Sequence, residues 1–233
     1  MTLPVAILAG GLATRLRPIT EKIPKALVEV AGQPFIEHQL ALLRTHGYTR
    51  VVLCVGYLGE MLEQHLGNGS RFGMSISYVA DGPKLLGTGG ALRRALPRLG
   101  DSFFVLYGDS YLPSEYGSVE NAFQLSTKPA LMTVLKNNNR WDTSNVVYRD
   151  GLIVCYDKRT QSEEMQFIDY GLSALNAQLL EKYEDGAAFD LSEVFSKLAS
   201  EGELAGFEVT ERFYEIGSPT GLAETALYLQ GLS

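Results

Sequence analysis

Short apolar runs alternate along this chain with stretches whose apolar residues recur every three to four positions. Runs of the first kind fall at 3–9, 50–55, 74–79, 102–107 and 130–135, each followed by turn residues. Short and mostly apolar, they predict strands. Between the first two, residues 34–46 place Phe35, Ile36, Leu40 and Leu43 at helical spacing, with Pro34 near the first turn and Gly47 just past the end. Residues 57–66, 91–99 and 115–126 read the same way. This alternation predicts an α/β protein with a mostly parallel sheet and crossovers packed on both faces. Ligands of such sheets collect outside the carboxyl ends of the strands.

The second half changes character. Runs at 144–148 and 152–156 flank Arg149-Asp150-Gly151, a hairpin signal with Asp-Gly in the turn. A further strand is expected at 166–175, helices at 177–183 and 191–200, and a last helix opening on Ser218-Pro219. With no repeat or low-complexity linker, the expectation is one domain over 1–233, in halves of about 1–128 and 129–233.

Composition adds boundaries. The 233 residues are 45% hydrophobic and 20% charged, the balance of a soluble globular protein. A net charge of −7 argues against a nucleic-acid partner that needs a broad basic face. Cys54 and Cys155 sit in apolar runs and read as small buried hydrophobes. No run approaches the ~20 apolar residues of a membrane span, and with no basic n-region and cleavage site near the N-terminus no secretory leader is expected. A cytoplasmic protein, with no membrane partner, is expected. His38, His46 and His65 fall on or at the ends of predicted helices and read as structural or surface residues.

The acidic background throws one segment into relief. Residues 12–28 carry Arg15, Arg17, Lys22 and Lys25 against Glu21 alone. Just before them, the strand ending Leu8-Ala9 runs into Gly10-Gly11. Glycines let main-chain N–H groups approach phosphate oxygens, and Arg and Lys add charge-assisted donors, so the segment reads as a polyphosphate cradle. Three other segments carry candidate chemistry. The apolar run 103–107 ends in Gly108-Asp109, placing a carboxylate where ligands bind, as a turn cap or as a first Mg²⁺ ligand. Leu85-Leu86-Gly87-Thr88-Gly89-Gly90, read as a loop ahead of a helix at Ala91, suits contact with a flat base or an anion, or simple flexibility. Glu215-Ile216-Gly217-Ser218-Pro219 puts a carboxylate before a helix start, where it could meet Asp109.

Leu8-Ala9-Gly10-Gly11-Leu12-Ala13-Thr14-Arg15-Leu16-Arg17-Pro18 followed by Pro24-Lys25 resembles the signature of the sugar-1-phosphate nucleotidyltransferases, and the other segments fall where that family has its further motifs. The resemblance covers nearly the whole chain and is strongest to the short members, including heptose- and mannose-1-phosphate guanylyltransferases. It implies a Rossmann-like three-layer sandwich with a mixed, mainly parallel sheet. It also implies transfer of a nucleoside monophosphate from a nucleoside triphosphate to a sugar 1-phosphate. In that family's terms, Leu8, Ala9, Gly10, Gly11, Thr14, Arg15 and Lys25 would hold the nucleotide, with Arg15, Lys25 and Lys158 catalytic. Thr88, Gly89 and Gly90 would lie along base and ribose. Asn145, Asp157, Lys158, Asp169 and Gly171 would take the sugar phosphate, and Asp109 and Glu215 would bind Mg²⁺. Two departures stand out: Arg159 follows Asp157-Lys158 where the family has proline, and Glu215 replaces its usual Asp.

The implied reaction needs no general base, since a sugar-phosphate oxygen is already anionic. The Leu86–Gly90 wording leans toward GTP and a manno-configured or heptose phosphate, with UTP, dTTP or CTP as alternatives. A non-catalytic nucleotide-sugar sensor shares the pattern. Homo-oligomerisation is compatible with it.

Overall fold

Two-residue alternation divides the first strand between two cores: Val5 and Ile7 join one cluster and Ala6 the other. The molecule is described here from a computed structural model over residues 2–11 and 14–232, apart from the Thr14 side chain. Leu12 and Ala13 of the glycine-rich segment lie outside the described residues.

In chain order the first half contains β1 (Val5–Ala9), β2 (Glu29–Val30), β3 (Gln33–Pro34), α1 (Phe35–Thr45), β4 (Arg50–Val55), α2 (Gly59–Leu66), β5 (Ser75–Ala80), α3 (Gly87–Leu99), β6 (Ser102–Tyr107), β7 (Ser110–Tyr111) and α4 (Tyr116–Ser126). The second contains β8 (Ala130–Lys136), β9 (Val146–Arg149), β10 (Leu152–Tyr156), β11 (Phe167–Asn176), α5 (Gln178–Glu181), α6 (Leu191–Ser200), β12 (Leu204–Val209), β13 (Tyr214–Glu215) and α7 (Pro219–Gln230).

The main sheet has nine strands in the order β5-β4-β1-β6-β11-β8-β12-β10-β9 among the described residues. β5, β4, β1 and β6 are mutually parallel, as the alternation of strands and helices predicts. β11 then joins antiparallel to β6 and β8, and only β8–β12 is parallel beyond it. Helices α1, α2 and α4 cover one face with Leu40, Leu62 and Val119. Helices α3 and α6 cover the other with Leu92, Ala95 and Phe195. The three-layer α/β expectation is borne out.

The Asp-Gly hairpin forms as read: Asp150 and Gly151 both take positive φ, and Arg149 pairs with Leu152. Three expectations need correction. Helix α3 begins at Gly87, so Gly87–Gly90 form its first turn and not a loop ahead of it. The helix expected at 177–183 is one turn, Gln178–Glu181. Strand β12 was not anticipated. Its Gly206 weakens the strand pattern, and a Cβ there would lie 2.6 Å from the Tyr148 ring, so the glycine makes room for a neighbour.

Candidate active site

The strand ends at the carboxyl edge are packed unusually close. A Cβ on Gly56 would lie 2.7 Å from the Gly10 carbonyl, and one on Gly108 2.8 Å from the Leu8 carbonyl. Glycine at these ends lets β1, β4 and β6 converge on one cleft. A Cβ on Gly11, in contrast, would meet nothing within 4 Å among the described residues. The cleft encloses about 270 Å³ and is lined by Leu8, Ala9, Gly10, Gly11, Lys25, Asp81, Thr88, Tyr107 and Asp109, among others.

Asp109 leaves β6 into β7, and β7 pairs antiparallel with β13, putting Ser110 opposite Glu215. Ile216 N donates to the Asp109 carbonyl at 2.9 Å, closing the same ladder. The two acids, far apart in sequence, thereby become neighbours. Burial raises the Glu215 pKa above its ordinary value of 4.5, and the nearby Asp109 charge adds to it; Arg15 and Lys25 oppose the rise. Lys25, on a short 3₁₀ turn opened by Pro24, reaches in so that Nζ lies 2.8 Å from Asp109 Oδ2. Arg15 closes the group: a Cβ on Gly217 would lie 3.2 Å from Arg15 Nη2 and 3.3 Å from Glu215 Oε1. Gly217 therefore leaves room for a guanidinium beside the carboxylate.

Thr88 reaches the cleft, but Gly89 and Gly90 do not line it. Their N–H groups both donate to the Phe189 carbonyl, at 3.0 and 3.3 Å. A Cβ on Gly89 would lie 2.2 Å from the Phe189 ring, and one on Gly90 2.3 Å from the Ala187 carbonyl. These glycines admit the segment before α6, whose Leu191 N donates to Thr88 Oγ1 at 2.7 Å. First-turn amides engaged in this way are not free to hold an anion.

On the second half of the sheet, Asp169 is tied into β11 from several directions. Its Oδ2 accepts from the Tyr156 hydroxyl at 3.0 Å and its Oδ1 from Gly171 N at 3.0 Å. Its own N–H donates to Asn145 Oδ1 at 2.9 Å. Between Asp169 and Ser173 the register with β8 shifts, and Gly171 there has φ +100°. The structure thus brings Asn145, Asp169 and Gly171 together. Lys158 stands with Nζ 5.4 Å from the centre of the Tyr107 ring, which itself walls the cleft. Asp157 turns away: its Oδ1 caps its own turn, accepting from Arg159 N at 2.7 Å and Thr160 N at 3.1 Å, which holds its carboxyl below the usual range.

A family model described as nucleotidyl transferase matches residues 5–147. The chain belongs to the nucleotidyl transferase family. The family resemblance read from the glycine-rich segment is thereby borne out. Over 232 residues the chain is 32% identical to a protein of Drosophila pseudoobscura pseudoobscura named mannose-1-phosphate guanylyltransferase catalytic subunit beta, covering 97% of this chain and 62% of that one. Over 215 residues it is 30% identical to a UTP–glucose-1-phosphate uridylyltransferase of Synechocystis sp., covering 84% of this chain and 55% of that one. The chain therefore spans a little over half the length of these relatives. Among solved structures, HddC from Yersinia pseudotuberculosis complexed with GMP-PN shares the fold, with a TM-score of 0.82, 22% identity, and coverage of 98% of this chain and 100% of that one. The inositol-1-phosphate CTP transferase from T. maritima also shares it, with a TM-score of 0.80, 22% identity, and coverage of 99% and 95%.

Within this family framework, three residues escaped the sequence reading. Gln39, buried on α1, donates from Nε2 to the carbonyls of Tyr107 and Ser110 and so fixes the turn bearing Asp109. Asp190 caps α6 beside Thr88 and Lys158; burial works against its charge, yet Ser192, Lys158 and Thr88 hold its pKa below the ordinary value. Asp81 lines the cleft. None stands in a glycine-rich or basic motif, so only their helix-face or strand-end positions signalled them. Among the described residues, no helix is long and apolar enough to cross a membrane.

Proposed function

We propose that this chain transfers a nucleoside monophosphate from a nucleoside triphosphate to a sugar 1-phosphate, forming an NDP-sugar and pyrophosphate. The observation that carries the reading is the Asp109–Glu215 neighbourhood with Lys25 2.8 Å from Asp109, at the mouth of a cleft floored by Gly10 and Gly11. A sugar-phosphate oxygen attacks the α-phosphorus, the bond to the bridging oxygen breaks, and pyrophosphate leaves. The chain's task is then positioning and charge neutralisation. Gly10 and Gly11 present main-chain donors, Arg15 and Lys25 balance the triphosphate, and Lys158 holds the acceptor phosphate over Tyr107. Asn145, Asp169 and Gly171 line the sugar side.

The donor set suits Mg²⁺. Asp109 and Glu215 are hard oxygen ligands whose mutual repulsion a cation relieves, and no cluster of three or more metal-binding side chains occurs among the described residues. Two carboxylates completed by phosphates and water is the usual arrangement for Mg²⁺ on nucleotides. When bound, the ion would neutralise phosphate charge.

GTP with a mannose- or heptose-type phosphate is the preferred pair. The wording at Leu86–Gly90 and the guanylyltransferase names of relatives spanning 97% of this chain support it. The test is pyrophosphate release with Mg²⁺, crossing GTP, UTP, dTTP, CTP and ATP with glucose-, mannose-, N-acetylhexosamine- and heptose-1-phosphates. Release with GTP and a manno-configured partner, reduced about a hundredfold or more in Lys25→Ala, is expected. Full activity in that variant would refute the role of Lys25, and release only with another nucleotide would move the base assignment. Silence with every pair, beside tight NDP-sugar binding, would mark a sensor.

A further inference from the structure

The strand that carries Glu215, β13, is two residues long and pairs with the two residues of β7. So short a ladder does not hold a strand by itself, and here it must keep Glu215 beside the like charge of Asp109. Helix α7 supplies part of the grip. The Glu215 carbonyl accepts from Thr225 Oγ1 at 3.0 Å, Tyr214 stacks on Tyr228 with ring centres 3.9 Å apart, and Arg212 pairs with Glu224.

The rest comes from the sugar side of the sheet. Between β8 and β9, residues 137–144 fold into a closed bracket. Asn137 Nδ2 donates to the Asp142 carbonyl at 2.6 Å, and its Oδ1 accepts from Trp141 N at 3.2 Å. Ser144 N donates to Asn139 Oδ1 at 2.8 Å. Asn138 and Asn139 both take positive φ, a conformation that asparagine adopts more readily than most residues. The bracket ends at Asn145, which accepts from Asp169 N, and its Trp141 lies against Arg212. The Arg212 guanidinium carbon is 5.5 Å from the centre of the Trp141 ring and 5.0 Å from that of Tyr214. Its buried Nε has no hydrogen-bond partner among the described residues, so the two ring faces and Glu224 orient the group. Trp141 and Glu215 wall one cavity of about 250 Å³, and the Asp142 charge bears on Glu215.

Resting on the nucleotidyl-transfer reading, we infer that Arg212 is a positioning residue for Glu215. Gripped between Trp141 and Tyr214, it ties the strand of the metal-binding carboxylate to the bracket ending at Asn145. The metal side and the sugar side thereby assemble as one unit. A planar guanidinium can lie flat on two rings and still keep its carboxylate partner; an ammonium cannot. Charge alone predicts the opposite of positioning. Removing a cation from beside two carboxylates would tighten a metal ion there, whereas releasing the strand would loosen it.

Binding of Mn²⁺ alone, read by electron paramagnetic resonance, to the native chain, Arg212→Ala, Arg212→Lys and Trp141→Leu tests this. Each variant, lysine included, is expected to raise the Mn²⁺ dissociation constant about tenfold. Arg212→Ala combined with Trp141→Leu is expected to bind no more weakly than either alone, because both break one contact. In pyrophosphate release, the Mg²⁺ needed for half-maximal rate should rise in step, with the rate at saturating Mg²⁺ within about twofold of native. Native or tighter Mn²⁺ binding by Arg212→Ala would overturn the inference, as would native binding by Arg212→Lys. If Arg212→Ala does not fold, Arg212→Lys and Trp141→Leu decide on the same terms. A rate loss that Mg²⁺ does not restore would also overturn it, placing Arg212 in the transfer step. Any of these results beside pyrophosphate release by the native chain leaves nucleotidyl transfer standing. A native chain that neither binds Mn²⁺ nor releases pyrophosphate would overturn both readings.

Discussion

Gln39 Nε2 lies 2.7 Å from the Ser110 carbonyl, joining the first long helix to the turn that bears Asp109. The same nitrogen donates to the Tyr107 carbonyl at 3.0 Å, so one amide group spans both sides of Gly108-Asp109. Since Ser110 also pairs with Glu215, the position of both carboxylates depends on this buried side chain.

Replacing Gln39 by Leu keeps the volume and removes both bonds. Two part-buried acceptors lose their partner, at about 1–3 kcal/mol each. Denaturant unfolding is expected to show a loss of about 2–4 kcal/mol, and the folded fraction to need more Mg²⁺ for half-maximal activity. A stability loss with an unchanged Mg²⁺ requirement would confine Gln39 to the fold.

Glu215 gives stability a pH dependence of definite sign. Its native pKa is raised above 4.5, chiefly by burial and then by Asp109, so the native state holds this proton more tightly than the unfolded chain. The resulting contribution is fully present below about pH 4.5 and is lost as pH rises through the native value. Glu215→Gln is therefore expected to melt higher than the native chain at pH 7, with the gap closing near pH 4, while pyrophosphate release falls. Mg²⁺ should raise the melting temperature of the native chain more than that of the variant. A variant that melts lower at pH 7 without Mg²⁺ would contradict the assigned strain.

Gly90→Ala separates packing from ligand contact. The new Cβ would lie 2.3 Å from the Ala187 carbonyl, a main-chain atom that cannot rotate away. Overpacking of this kind costs about 1–3 kcal/mol. Thermal melting is expected to show that loss with or without nucleotide. A variant of native stability with weakened nucleotide binding would return Gly90 to the ligand.

Much of the fold was legible because its signals are local. The uniformly apolar runs at β1, β4 and β6 mark strands covered on both faces, and Asp150-Gly151 marks a hairpin that needs two positive φ angles. Strand β12 was hidden because Gly206 answers to the Tyr148 ring from another strand. The start of α3 was hidden for a similar reason, since its glycines answer to Phe189 and Ala187 from about a hundred residues away.

By itself the sequence determined the class of fold and the family, because strand periodicity and the Gly10–Lys25 segment are carried by neighbouring residues. The tertiary structure alone decided which residues meet. A two-residue ladder between β7 and β13 puts Glu215 beside Asp109, and Gln39 reaches back from α1 to hold that turn. Such meetings arise from sheet order and strand register, which depend on packing across the whole chain and leave no periodic trace in any one segment.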